Sequence, residues 1–145
     1  MTAIDLRGLD HVVLRVADVD RSIVFYCEAL GCRVERRLDA LGLIQLRAGN
    51  ALIDLVDIAS PLGQAGGEAP APSAPNMDHF ALELSSWDES AIRSQLAEHG
   101  IEAGEAGERY GAGGFGPSIY LSDPDGNTVE LKGPATRGLD TEAAS

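Results

Sequence analysis

The sequence predicts an α+β fold in which two βαβββ modules form a curved mixed sheet around a metal cavity, and three observations predict it. The run Leu9-Asp10-His11 returns as Met77-Asp78-His79. The segment Val19-Asp20-Arg21-Ser22 is echoed by Trp87-Asp88-Glu89-Ser90, and the helical pattern after each is stopped by a glycine, Gly31 and Gly100. The turn pairs Gly49-Asn50 and Gly126-Asn127 precede the last strand of each half. An internal repeat is a statement about architecture. Each module has one apolar sheet face for its helix to cover, which leaves a second, polar face to line a shared cavity.

Residues 9–16 carry enough β-branched side chains to read as a strand, with His11, Val13 and Arg15 on one face and Val12, Leu14 and Val16 on the other. Asp18 to Ser22 open a helix in which Ile23, Tyr26, Cys27 and Leu30 recur at helical spacing, and Gly31 closes it. Strands follow at 33–37, 41–47 and 51–56. Residues 60–76, rich in Pro, Gly and Ala, read as a flexible linker between module one (8–59) and module two (77–133) of a single domain spanning 1–145. The second module offers a strand at 77–84, a helix through Ile92, Leu96 and Ala97, and strands at 101–104, 118–121 and 128–131. Arg109 to Pro117 is dense in glycine and reads as a mobile lid; it lacks the Gly-Lys-Ser/Thr ending of a phosphate loop. Residues 134–145 read as a flexible tail.

Composition narrows the function. Twenty-three acidic against 11 basic residues give a net charge of -12 with no run of Lys or Arg, which disfavours nucleic acid and anionic membrane as partners. No apolar run is long enough to span a bilayer, and the first residues lack the apolar core of a signal peptide, so a cytoplasmic location is expected. Cys27 and Cys32 match neither a redox pair nor a zinc-ribbon spacing and are read as reduced, structural thiols. Trp87 reads as a hydrophobic anchor at the start of the second helix.

The polar face carries the chemistry. By strand parity His11, His79 and Glu130 share it with small or polar neighbours, and Asp54 follows the same rule from the first module. Glu130 leaves the turn Asp123-Pro124-Asp125-Gly126-Asn127 on a short apolar strand, where an ionised carboxylate must reach water, a cation or a polar cavity. A lone strand histidine is ordinarily structural. Here two of only three histidines occupy the same position of a repeat, while His99 sits at a helix end before Gly100 and reads as a cap. Two histidines and two carboxylates make an N2O2 set suited to a divalent transition metal. Asp54, a methylene shorter than Glu, is open to three roles: ligand, ligand through water, or base.

These motifs, the Leu-Asp-His opening, the stretch Asp18-Val-Asp-Arg-Ser-Ile-Val-Phe-Tyr26 and the closing Asp123-Pro-Asp-Gly-Asn-Thr-Val-Glu-Leu131, resemble the vicinal oxygen chelate superfamily over about residues 8–133. That superfamily includes glyoxalase I, fosfomycin-resistance enzymes, extradiol dioxygenases, methylmalonyl-CoA epimerase and bleomycin-binding proteins. The resemblance implies that His11, His79 and Glu130 ligate a divalent metal ion (Ni, Zn, Mn, Fe or Co). It puts Asp54 where glyoxalase I has a glutamate that binds metal and moves protons. It further implies pairing of modules across a homodimer. Tyr120 falls where fosfomycin-type enzymes bring a tyrosine to the metal-bound substrate, and Arg109 or Tyr110 of the glycine-dense segment is placed to meet an anionic substrate.

The expected activity is that of a metal-dependent lyase or isomerase of glyoxalase type. Its substrate is a small molecule that chelates the metal through vicinal oxygens, with Asp54 and Glu130 as catalytic carboxylates. The alternatives are an Fe(II) extradiol-type dioxygenase, a fosfomycin-type thiol transferase, and a non-catalytic drug- or metabolite-binding protein.

Overall fold

The protein is described by a computed structural model over residues 3–139. Eight strands and three α-helices run in the order β1 (His11–Val16), α1 (Val19–Ile23), β2 (Arg33–Leu38), β3 (Leu43–Ala48), β4 (Ala51–Asp57), α2 (Pro61–Ala65), β5 (His79–Glu83), α3 (Glu89–Glu98), β6 (Gly107–Gly111), β7 (Gly114–Ser122) and β8 (Thr128–Lys132). They fall into two compact units that divide between Ala69 and Pro70. Each unit has its own four-stranded mixed sheet, ordered β1-β4-β3-β2 in the first and β5-β8-β7-β6 in the second. The opening strand of each unit pairs parallel with the closing one, and the other pairings are antiparallel. This is the α+β, duplicated βαβββ architecture expected from the repeat.

The two helical segments expected from the sequence are present, α1 running on into a further helical stretch that ends before Gly31 and α3 ending before Gly100. Asp18 caps α1 by accepting from Arg21 N at 3.1 Å, and Asp88 caps α3 by accepting from Ala91 N at 3.1 Å. Gly31 and Gly100 follow at φ +88° and +70°, a backbone region that costs glycine nothing. His99 is the C-cap of α3, its Nδ1 3.1 Å from the Gln95 carbonyl. The first helix departs from expectation in its second half, where Val24–Ala29 coil as a π-helix and Leu30 N bonds Phe25 O at 3.1 Å. The buried stripe keeps helical spacing but shares only Tyr26 with the expected one. Ser22, Phe25, Tyr26 and Ala29 face the core, whereas Ile23, Cys27 and Leu30 are only partly covered.

In the first unit the core is Leu14 and Val16 of β1 with Ile44, Leu46, Ile53 and Leu55; in the second it is Ile119, Leu121, Val129 and Leu131 with Leu96 of α3. Fully burying such a side chain is worth roughly 1.5–3 kcal/mol, and these rows hold one face of each sheet shut. The opposite faces carry the polar side chains.

Four sequence expectations need correction. The segment from Arg109 to Pro117 is no lid: β6 and the start of β7 form a hairpin through it, paired from Gly107↔Ser118 to Gly111↔Gly114. Residues 101–104 form no strand, so the edge position of the second sheet belongs to β6. The stretch 60–76 contains helix α2, capped by Ser60 Oγ accepting from Gly63 N at 3.0 Å, with Pro61 at the helix start. Finally, residues 134–139 fold back on β7. Phe115 N donates to Arg137 O at 2.9 Å, Thr136 N donates to Phe115 O at 2.7 Å, and the Arg137 guanidinium lies 3.8 Å from the Phe115 ring centre. The rest of the expected tail lies outside the described residues.

Candidate metal centre

Strand register brings the polar residues of each unit into rows. In the first unit Val13, Asp54 and Gln45 lie side by side across β1, β4 and β3, and His11 stands two residues from Val13 on the same face of β1. In the second unit the equivalent row is Ala81, Glu130 and Tyr120, with His79 two residues from Ala81. Asp54 and Glu130 are thus counterparts, as are His11 and His79, and each sheet presents one histidine and one carboxylate on one face.

Both histidines are oriented by the residue before them. His11 Nδ1 is 2.8 Å from Asp10 Oδ1, and His79 Nδ1 is 2.6 Å from Asp78 Oδ2. A carboxylate that accepts a hydrogen bond from Nδ1–H leaves Nε2 as the lone-pair donor and raises its basicity, the usual outer-shell arrangement for a metal-ligating histidine. The hydrogen bond from Asp10 holds the His11 pKa above the ordinary value; partial burial opposes this, and the Asp54 charge adds to it. The repeat contained both aspartates, but sequence reasoning assigned them no role. The signal was an Asp immediately before each matched histidine.

The carboxylates are buried and held from the side. Asp54 is 4% exposed, and Gln45 Nε2 lies 3.3 and 3.1 Å from its two oxygens. Glu130 is 6% exposed, and its Oε1 accepts from the buried Ser118 hydroxyl at 3.3 Å. Ser118 in turn receives Arg109, whose Nη1 donates to its Oγ and to its carbonyl, both at 2.8 Å. Tyr120 borders the same group. Its ring stands edge-on to His79 at 5.5 Å between centroids, and the Arg109 guanidinium lies 4.5 Å above its face. Burial pushes the Tyr120 pKa up, and its hydrogen bond to Glu130 and that carboxylate's charge push it further, with Arg109 opposing. Gln45 and Ser118 were missed in the sequence because their roles come from cross-strand register.

His79, Glu130, Tyr120 and Arg109 are therefore brought together on the second sheet, and His11 and Asp54 on the first. Within neither unit do the described residues include a group of three His, Cys, Asp or Glu side chains that could hold a metal ion. Each unit offers a nitrogen and an oxygen donor, half of the N2O2 set expected from the sequence. The donor chemistry of each half fits a divalent ion: an imidazole with its second nitrogen already bonded, and a buried carboxylate with one oxygen steadied by neutral donors.

The model of the Glyoxalase/Bleomycin resistance protein/Dioxygenase superfamily matches residues 8–131. The chain belongs to this superfamily. It is 29% identical over 124 residues to a catechol-2,3-dioxygenase of Bacillus subtilis, covering 85% of this chain and 40% of that protein. It is 31% identical over 141 residues to a putative lactoylglutathione lyase of Brassica oleracea, covering 93% of this chain and 48% of that protein. The chain thus spans less than half the length of these two curated relatives. Among solved structures, a virulence protein of Salmonella typhimurium superposes with a TM-score of 0.74 at 26% identity, covering 91% of this chain and all of that one. Among the described residues no helix is long and apolar enough to cross a membrane.

Proposed function

We propose that this superfamily member is a divalent-metal-dependent lyase or isomerase of glyoxalase type, acting on a small substrate that presents two neighbouring oxygens to the ion. The observation that carries this reading is the duplicated pair of histidine and buried carboxylate, with each histidine oriented by the aspartate before it. In this reading His11 and His79 hold the ion through Nε2 and Glu130 through the oxygen that Ser118 leaves free. A full donor set draws on both modules, and pairing of modules across a homodimer, working in the cytoplasm, supplies it. When bound, a Ni, Zn, Mn, Fe or Co ion supplies Lewis acidity that stabilises developing enolate or alkoxide charge.

The remaining residues handle protons and orientation. Asp54 is the second catalytic carboxylate. In this reading Asp54, buried and bonded to Gln45, takes a proton from carbon and returns it to the neighbouring carbon, with Glu130 as its counterpart on the other module. Tyr120 and Arg109 bind substrate beside Glu130, the guanidinium fixed by Ser118 so that its remaining N–H groups stay directed. The test offers metal-loaded protein the hemithioacetal of methylglyoxal and glutathione, with Asp54→Asn and Glu130→Gln variants alongside. Thioester formation by the wild type that both variants lose supports the reading, and turnover unchanged in Asp54→Asn removes Asp54 from it.

One observation favours a second reading. Both Asp54 oxygens are within reach of Gln45 Nε2, and with Asp54 so engaged, His11, His79 and Glu130 form a two-histidine, one-carboxylate triad with open positions, which suits an Fe(II) dioxygenase. The similarity to a catechol-2,3-dioxygenase points the same way. Oxygen uptake with catechol by the Fe(II)-loaded protein, and no thioester formation, selects this reading.

A further inference from the structure

Ten of the eleven basic residues are arginines, and the one lysine, Lys132, is among the least exposed polar side chains of the chain at 8%. Lysine is almost never so buried without a partner. The Lys132 side chain nonetheless makes no hydrogen bond or ion pair among the described residues, although Glu83 is its register partner on β5. No fully enclosed side-chain nitrogen or oxygen lacks a partner among the described residues, so the ammonium keeps an opening.

Its position is specific. Lys132 follows Glu130 by two residues on β8 and shares its face, beside Ser118 of β7. From there the stem passes over Gly111 of β6, with its tip near Gly116 of β7, a position that the Pro134 carbonyl approaches more closely still. A Cβ at Gly111 would collide with Lys132 Cε, and one at Gly116 would fall 3.1 Å from Nζ. Arg109 pairs with Gly116 on the same face, and its guanidinium bends the other way, toward Gly107, Ser118 and Tyr120. Lys132 and Arg109 thus lie on the face that carries Glu130, the Lys132 stem over Gly111, in a chain of net charge -12.

We propose that Lys132 is a substrate-binding residue whose ammonium receives an oxyanion group of the substrate, a carboxylate or a phosphate, beside the Glu130 end of the polar face. An ammonium that reaches an opening at the end of a buried stem, with no side-chain partner of its own, is free to receive an anion that supplies one. This rests on the polar face of the second sheet being the substrate face, as in the proposed function. It selects, within the class of vicinal-oxygen substrates, those with an anionic substituent.

The test titrates the purified full chain with inorganic phosphate and, separately, with acetate, against chloride at matched ionic strength. Binding is read from the fluorescence of Trp87, the sole tryptophan, which packs on Gly133, the residue after Lys132. Lys132→Met keeps the stem and removes the charge, and Lys132→Arg keeps the charge. Saturable binding that weakens about 10- to 100-fold in Lys132→Met and is partly retained in Lys132→Arg supports the proposal, and the better probe identifies the anion class. Absence of saturation by either probe in the wild type, or affinity unchanged in Lys132→Met, overturns it. Metal content measured on Lys132→Met is expected to equal that of the wild type. Failure of the metal-site reading would appear instead as retention of metal by the histidine and Glu130 variants, so the two failures are distinct.

Discussion

Substituting Asp123 by alanine tests how Glu130 is delivered to its place. Asp123 is 5% exposed; its Oδ1 accepts from Asp125 N at 2.9 Å and Asn127 N at 2.8 Å, and its Oδ2 from Asn127 Nδ2 at 2.9 Å. Asn127, itself 1% exposed, passes the network on by accepting from Asn76 Nδ2 at 3.1 Å. Alanine strands two donors on a buried residue, each costing roughly 1–3 kcal/mol, while the Asp125 N–H, only partly buried, recovers a bond to water. The expected loss is about 3–4 kcal/mol. For a chain of this length each kcal/mol moves Tm by roughly 2–4 °C, so thermal unfolding followed by circular dichroism should shift down by about 6–16 °C. Asp123→Asn retains an acceptor for the two turn N–H groups and opposes its amide to that of Asn127, so it should lose about 1–2 kcal/mol. A Tm for Asp123→Ala within about 3 °C of wild type, or an Asn variant less stable than the Ala variant, would refute the claim that this side chain builds the turn.

Further outcomes follow from the same structure. Asp10→Asn and Asp78→Asn should each weaken divalent-metal binding by about 10- to 100-fold in a chelator competition, because each orients a ligating imidazole. The His11 Hε1 resonance should titrate above the ordinary midpoint of about 6.5, and Asp10→Asn should lower it, the Asp10 hydrogen bond being the largest cause of the raised value. The sign is fixed by that direction. The pairing contributes stability fully below the unfolded-state pKa and loses it as pH rises through the folded one, whereas metal binding at His11 weakens as pH falls through the same range. Cys32, its thiol pushed up to about 11 mainly by burial, is about one-thousandth thiolate at pH 8; a disulfide exchange reagent should modify it in the native protein at least a hundredfold more slowly than after denaturation. Gly63→Ala should destabilise by about 1–3 kcal/mol in urea unfolding, because its Cβ would collide with the Asp57 carbonyl at the start of α2.

How much of this was legible depends on what kind of pattern each element carries. The repeat, the caps Asp18 and Asp88 and the stops Gly31 and Gly100 rest on local chemistry, and all are found where residue type predicts. The polar face was readable because period 2 is strict, so His79, Glu130 and Tyr120 share a face once the strands are granted. Strand β6 was not readable. Gly107, Gly111, Gly114 and Gly116 erase the alternation that marks a strand; Gly107 lies against the Arg109 side chain, Gly111 against Lys132, and Gly114 and Gly116 against the backbone of residues 133–138. Composition also hid α2, since a Pro-Gly-Ala stretch outweighs the Ser60-Pro61 start signal it contains. The buried stripe Ser22, Phe25, Tyr26 and Ala29 keeps helical spacing, but the small Ser22 and Ala29 do not mark a core face, and so Ile23, Cys27 and Leu30 were read beside Tyr26 instead. Within the candidate site, the shared face follows from strand parity, while the contacts of Gln45 and Ser118 do not. Their roles exist only once β3 is laid against β4 and β7 against β8.

The central claim is that His11, His79 and Glu130 hold a divalent metal ion. Metal content of the purified chain, measured by plasma emission on the wild type and on His11→Ala, His79→Ala and Glu130→Ala variants that keep the wild-type circular dichroism, tests it most directly. The account predicts a divalent transition metal at a fixed stoichiometry in the wild type and its loss in each variant. A wild type that binds no divalent metal when offered one, or variants that each keep it at wild-type stoichiometry, would contradict the account.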